Sequence, residues 1–201
     1  MALLFANNNS LSAITTKPSG LSGGSMNLIS TQTASSSSTI SFTSGIDSTY
    51  DEYVFKFYDI HCETNFRHLG FQANAVGGSG YNETITSTMF VANHKEDDSA
   101  STLAYEGDGD QAQGTGFQSI IHAMGNGNDE SGSGTLHLFN PSSTTFVKHF
   151  IATTNTYTDD DRSQNNFAAG YINTTSAIDE IQFKMSSGNI DSGVIKLYGV
   201  S

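Results

Sequence analysis

The side chains of this chain that could do chemistry are six histidines, one cysteine and three runs of carboxylates. The histidines are His61, His68, His94, His122, His137 and His149, and none falls in an H-E-x-x-H or Cys/His zinc spacing. His61 and Cys62 are neighbours in sequence, so on a strand they point to opposite faces. His122, His137 and His149 each lie in an apolar stretch of strand character and could meet across a sheet, where ordinary strand positions are the simpler reading than a shared metal. The carboxylates cluster at Glu96-Asp97-Asp98, at Glu106, Asp108 and Asp110, and at Asp159-Asp160-Asp161. Calcium needs several hard oxygens at one point, and Gly-spaced acids can supply them, but the EF-hand spacing is absent and a solvated acidic loop accounts for each run. No metal or other cofactor is expected.

Nucleophilic chemistry has no visible support. There is no G-x-S-x-G elbow, and the Gly-rich pieces at 77–80 and 132–134 lack the lysine of a phosphate loop, so they read as turns. The chain is expected not to be an enzyme. Tyr81, Tyr105 and Tyr157 fall in or beside loops, where rings could stack on sugars or fill a neighbour's pocket.

Composition bounds the partners. The net charge is -12, with only eight Lys and Arg, and these are scattered. Phosphate recognition needs clustered cations, so nucleic acid is not an expected partner, and an anionic membrane is excluded on the same ground. No apolar run reaches ~18 residues, and MALLF followed by NNNS does not make a secretory signal. Cys62 is the only cysteine, which rules out an internal disulfide and suits a reducing compartment.

The elements that would position these groups are strands. Charged residues are only 14% of the chain, and Gly, Ser, Thr and Asn take their place, a composition poor for helix interiors. Before Asp47 the only charge is Lys17; this Ser/Thr-rich segment, 1–47, reads as an extended N-terminal arm. Its spaced apolar residues Leu3, Leu4, Phe5, Leu11, Ile14, Leu28 and Ile29 are the expected partner-binding anchors. From 48 to 201 strand follows strand: 52–61, with Tyr53, Phe55 and Phe57 on one face; 67–75, with Leu69, Phe71 and Ala73; 84–92; 116–124; 135–140 and 144–157, paired across Pro141-Ser142-Ser143; 167–173; 177–185; and 193–200. Residues 93–115 read as a long polar stretch, 125–134 as a Gly-rich connection and 158–166 as a charged loop. Ile178 and Ile181 break strict alternation, which marks a bulge. Roughly nine strands with turn residues between them give an all-β fold, an antiparallel β-sandwich of jelly-roll-like type.

Three segments carry a resemblance. They are S-T-Y-D-E-Y-V-F-K-F-Y-D-I at 48–60 with F-Q-A-N at 71–74, G-S-G-T-L-H-L-F-N-P-S-S-T-T at 132–145, and the run from Asn173 to Val200, in which I-D-x-I-x-F leads through S-S-G-N-I-D-S-G to a closing L-Y-G. The last reads as a β-hairpin turned at Ser187-Gly188-Asn189, with Gly193 allowing close approach. In these segments the body resembles small virion structural proteins of tailed bacteriophages, capsid-decoration or tail-fibre-like β-sandwiches. The resemblance spans about residues 48–201 and leaves the arm uncovered.

It implies a location in the virion and partners among other virion proteins, a major capsid or tail protein, together with homo-oligomerisation, a trimer being favoured. The leading expectation is a decoration (cement) protein whose arm grips the assembled shell. The alternative is a tail-fibre or receptor-binding module that attaches by its arm and binds host glycan through loops such as 93–115 and 158–166. A carbohydrate-active domain is the third reading, and it would need two acids at a defined separation in a cleft.

Overall fold

The computed structural model describes residues 26–201. Leu3, Leu4, Phe5, Leu11 and Ile14 lie outside the described residues. The described chain is all β, with thirteen strands in two antiparallel sheets and no helix. They are β1 (Met26–Ser37), β2 (Ile40–Phe42), β3 (Glu52–Cys62), β4 (Arg67–Ala75), β5 (Ile85–Lys95), β6 (Ser101–Tyr105), β7 (Ala112–Gly114), β8 (Gln118–Met124), β9 (Gly132–Phe139), β10 (Lys148–Tyr157), β11 (Arg162–Ile172), β12 (Ile178–Met185) and β13 (Ile190–Val200). The large sheet runs β1-β13-β3-β9-β10-β11-β5-β6, with β7 also on β5, and the small sheet runs β2-β12-β4-β8.

One hydrophobic cluster fills the space between them. The alternation seen in the sequence sets which side chains enter it: Tyr53, Phe55 and Phe57 from the large sheet and Leu69, Phe71 and Ala73 from the small one are all buried. Aromatic rings tie the sheets together. Phe183 of β12 meets Phe55 and Phe57 of β3 edge-on, with centroids 5.2 and 5.3 Å apart, and Phe71 of β4 meets Phe150 of β10 at 5.0 Å. Toward the β8 edge the filling turns polar and is tied by side-chain hydrogen bonds. Thr154 Oγ1 donates to the Ile120 carbonyl at 2.6 Å, Gln164 Nε2 to the His122 carbonyl at 3.0 Å, and Asn166 Nδ2 to Thr154 Oγ1 at 3.2 Å.

Several expectations are corrected. Residues 26–42 are not arm: β1 pairs with β13 from Met26↔Val200 to Ser37↔Ile190, and β2 pairs with β12 in the other sheet. Uncharged Ser/Thr-rich chain makes good edge strand, because the ladder and one buried face are all it must supply. Of the expected anchors, Ile29 packs against the core of its own chain, whereas Leu28 is 56% exposed on the outer face. The polar stretch 93–115 contains β6 and β7, the Gly-rich connection already holds the start of β9, and β11 begins inside the expected charged loop.

The segment from 173 to 200 is not a hairpin. β12 lies in the small sheet and β13 in the large one, so the turn through Gly188 (φ 73°) carries the chain between sheets. The bulge expected near Ile178 is present: the β12–β4 register shifts between Ile178 and Glu180, and both isoleucines are buried. The β9–β10 pairing across Pro141 is present as well.

Candidate functional site

Two surfaces stand out, one on the outer side of each sheet. On the large sheet the outward positions line up in rows across the strands. One row runs Tyr105, Phe90, Phe167, Thr153, Thr135, Lys56, Lys196. The next runs Thr88, Ala169, Ile151, His137, Val54, Tyr198, Leu28. Phe90 and Phe167 stack at 4.7 Å with 12° between their planes, and His149 meets Tyr171 edge-on at 6.0 Å. The exposure is large for apolar residues: Leu103 74%, Tyr105 61%, Ile151 49% and Phe90 43%.

Small residues at Ala169 and Gly170 leave a shallow hollow of about 500 Å³ walled by His149, Ile151 and Tyr171. A second hollow, beside Phe139 and the 68%-exposed Phe146, shares His149. The strands of the large sheet carry three carboxylates: Glu52, which accepts from His137 Nδ1 at 2.6 Å, and Asp59 and Asp191, which lie together where β3 and β13 leave the aromatic rows. Most of the chain's twenty acids thus lie elsewhere, and Lys56 and Lys196 lie over the rings of Tyr198 and Tyr58.

On the small sheet a pocket of about 520 Å³ opens over Gly70, between the β4–β5 loop and the segment from Asp108 to Phe117. Buried glutamines hold these walls. Gln72 Nε2 donates to the carbonyls of Glu83 (2.9 Å), Thr115 (3.2 Å) and Gly116 (2.9 Å); Gln118 Nε2 donates to Gly109 at 2.8 Å while its Oε1 accepts from Ser87 Oγ at 2.5 Å. Gly70 leaves the floor bare, since a Cβ there would stand 3.0 Å from Phe117 Cβ and 3.1 Å from the Gln118 carbonyl.

His68, Asp108 and Lys184 reach the pocket from three separate segments. His68 Nδ1 accepts from the Ala123 amide at 2.9 Å, so the ring proton sits on Nε2. Burial, then the neighbouring His122 ring, pushes the His68 pKa down to about 4, and the ring is a neutral donor at neutral pH. Lys184 Nζ is held 4.1 Å over the Phe117 ring. Ser119 Oγ, beside the floor, is buried and without a hydrogen-bond partner among the described residues.

The remaining sequence candidates do not converge. His122 stacks on His68 at 3.9 Å, whereas His137 and His149 lie on the large sheet with Glu52 and Tyr171 as partners. Among the described residues no three His, Cys, Asp or Glu come together as a metal group. The acidic runs serve their own turns: Asp97 accepts from the Ser99 amide at 2.9 Å, Asp98 bonds His94 at 3.0 Å, and Asp160 takes Arg162 Nε at 2.6 Å. Cys62 is buried, its thiol donates to the Gly125 carbonyl at 3.2 Å, and burial pushes its pKa up to about 11. Tyr81 and Tyr157 bond Glu180 and Asp161, and Tyr105 bonds Asp110.

The pocket was missed in the sequence because its residues come from 68–70, 80–82, 108–119 and 184–186, and no local spacing links them. The glycine pair Gly77-Gly78 and the Gly-spaced acids marked loops, not the sheet those loops cover. Comparisons with known proteins returned no matching family model, no matching curated protein and no matching solved structure.

Proposed function

We propose that this chain is a non-enzymatic structural subunit of a bacteriophage virion, a decoration protein that joins other virion proteins and further copies of itself. The observation that carries the reading is the acid-poor, aromatic outer face of the large sheet on a chain of net charge -12. Elsewhere on an acidic chain, the charged loops of two copies bring carboxylate toward carboxylate. Here the copies meet Phe90, Phe167, Ile151, Leu103 and Tyr105. With strands ~4.8 Å apart and a rise of ~3.4 Å per residue, the face covers on the order of 700 Å². One partner in a stable complex contributes about 800 Å². Large exposed apolar patches of this kind mark contact surfaces.

The jelly-roll reading of the fold belongs to the same proposal. Leaving out β5–β7 and β10–β11, four strands (β1-β13-β3-β9) face four others (β2-β12-β4-β8), and every connection but that from β4 to β8 changes sheet. The inserted strands β5, β6, β10 and β11 widen one sheet, and they carry most of the aromatic face. Leu3, Leu4, Phe5, Leu11 and Ile14 are proposed to grip the shell, with avidity raised if copies associate, as a trimer or as a two-fold pair.

The test is the mass of the purified protein and its co-sedimentation with particles. Wild type is expected to run as an oligomer. Ile151→Asp and Phe90→Asp, both at exposed positions, are expected to be folded monomers, and deletion of 1–25 is expected to lose particle binding alone. A wild-type monomer that decorates particles normally after Ile151→Asp would end this reading.

A further inference from the structure

We propose that the pocket over Gly70 on the small sheet binds a neutral saccharide unit. This goes beyond a decoration role, and it would hold equally for a receptor-binding module. The argument begins with rigidity. The walls are pinned by Gln72 and Gln118, both fully buried, so the cavity exists before a ligand enters and ordering it costs little. The pocket measures about 520 Å³, and its floor is kept open by a glycine that no larger residue could replace without pressing on Phe117.

The polar groups around it are of mixed kind. His68 presents Nε2–H as a neutral donor. Lys184 brings an ammonium that the Phe117 ring positions. Asp108 offers two acceptor oxygens from an exposed loop, and Asn82 offers both functions. Ser119 Oγ beside the floor still lacks a partner.

Sugar hydroxyls both donate and accept, so this set can be satisfied together: the Asp108 carboxylate accepts from two adjacent hydroxyls while the imidazole and ammonium donate to ring or hydroxyl oxygens. Phe117 and Tyr81 give the apolar surface that sugar C–H faces need. An anionic ligand fits worse. A phosphate or carboxylate only accepts, and it would face Asp108 in a molecule of net charge -12. A purely apolar ligand would strand the ammonium and the carboxylate.

The experiment is saturation-transfer NMR and titration calorimetry on the full chain. The panel is glucose, galactose, mannose, N-acetylglucosamine and their disaccharides, with sialic acid and glucose 6-phosphate as anionic probes. At least one neutral sugar is expected to bind. Asp108→Ala and Lys184→Met are each expected to weaken it about ten-fold, ~1.4 kcal/mol, with unchanged circular dichroism. Ile151→Asp, on the other sheet, is expected to leave it unaltered. No binding of any neutral sugar at millimolar concentration, tighter binding of the anionic probes, or binding indifferent to Asp108→Ala would each overturn the assignment. Loss of self-association by Ile151→Asp with sugar binding intact separates this site from the aromatic face.

Discussion

Two imidazoles, His68 on β4 and His122 on β8, stack at 3.9 Å with 14° between their planes. Burial lowers the pKa of both. The His122 ring and Arg67 add to the effect on His68, while Glu106 and Asp108 oppose it, and Asp108 alone opposes it on His122. The consequence for stability has a definite sign. The unfolded imidazoles take up protons near pH 6.5, and the folded pair resists until about 4 for His68. Stability is therefore independent of this pair above about pH 7 and falls as the pH drops from about 6.5 toward 4. Melting temperatures between pH 7 and pH 5 should decline in wild type and decline less in His68→Gln, whose amide oxygen can still accept from Ala123. Equal slopes would remove the pair as the cause. Lys148 is buried as well: its Nζ donates to the Phe146 and Thr174 carbonyls, both at 3.0 Å, and desolvation holds its pKa below the usual lysine value. The sequence showed the histidines but not this stack, because rings 54 positions apart meet only when β4 pairs with β8.

At the scale of the strand, Gly193 decides how β13 fits against β3. Its φ is +123°, and a Cβ there would come within 2.8 Å of the Asp59 carbonyl and the Ile60 Cα, where the β13–β3 register slips. Gly193→Ala is expected to cost about 2 kcal/mol or more by denaturant unfolding, since backbone and not a pliable side chain must move. Gly107→Ala, with open space around it, should fall within about 0.5 kcal/mol of wild type. A similar loss at both positions would refute the steric cause. The first strand makes a parallel case. Deletion of 1–25 is expected to leave the melting temperature unchanged. Deletion of 1–37 removes β1, bares the β13 edge and should lower the melting temperature and bring aggregation. Strands with a clean alternation, such as 52–61 and 67–75, were legible in the sequence. β6 was not, for every one of its residues is exposed and no apolar period marks it.

For the molecule as a whole, charge and shape act together. A chain at -12 repels its copies over most of its surface, and the aromatic face is where that repulsion is weakest. Salt should therefore strengthen self-association, by screening the repulsion while leaving apolar contact intact. Sedimentation at low and at physiological ionic strength would measure this; association that weakens with salt would mean that ion pairs, not the face, hold the copies. The face itself was half legible. Aromatics were abundant in the strands, but their division into core and surface depended on which sheet each strand joined: Phe167 and Phe150, in paired strands, end on opposite sides.

The sequence by itself determined the strand class, the buried set Tyr53-Phe55-Phe57 and Leu69-Phe71-Ala73, the bulge at Ile178 and the acidic balance, because alternation, turn chemistry and charge are local or additive properties. Only the tertiary structure decided that Met26–Ser37 completes a sheet, that β12 and β13 part into different sheets, and that His68, Asp108 and Lys184 share a pocket. Each of these depends on strand pairing between distant residues, and a strand's edge carries the same backbone donors and acceptors whichever neighbour it takes.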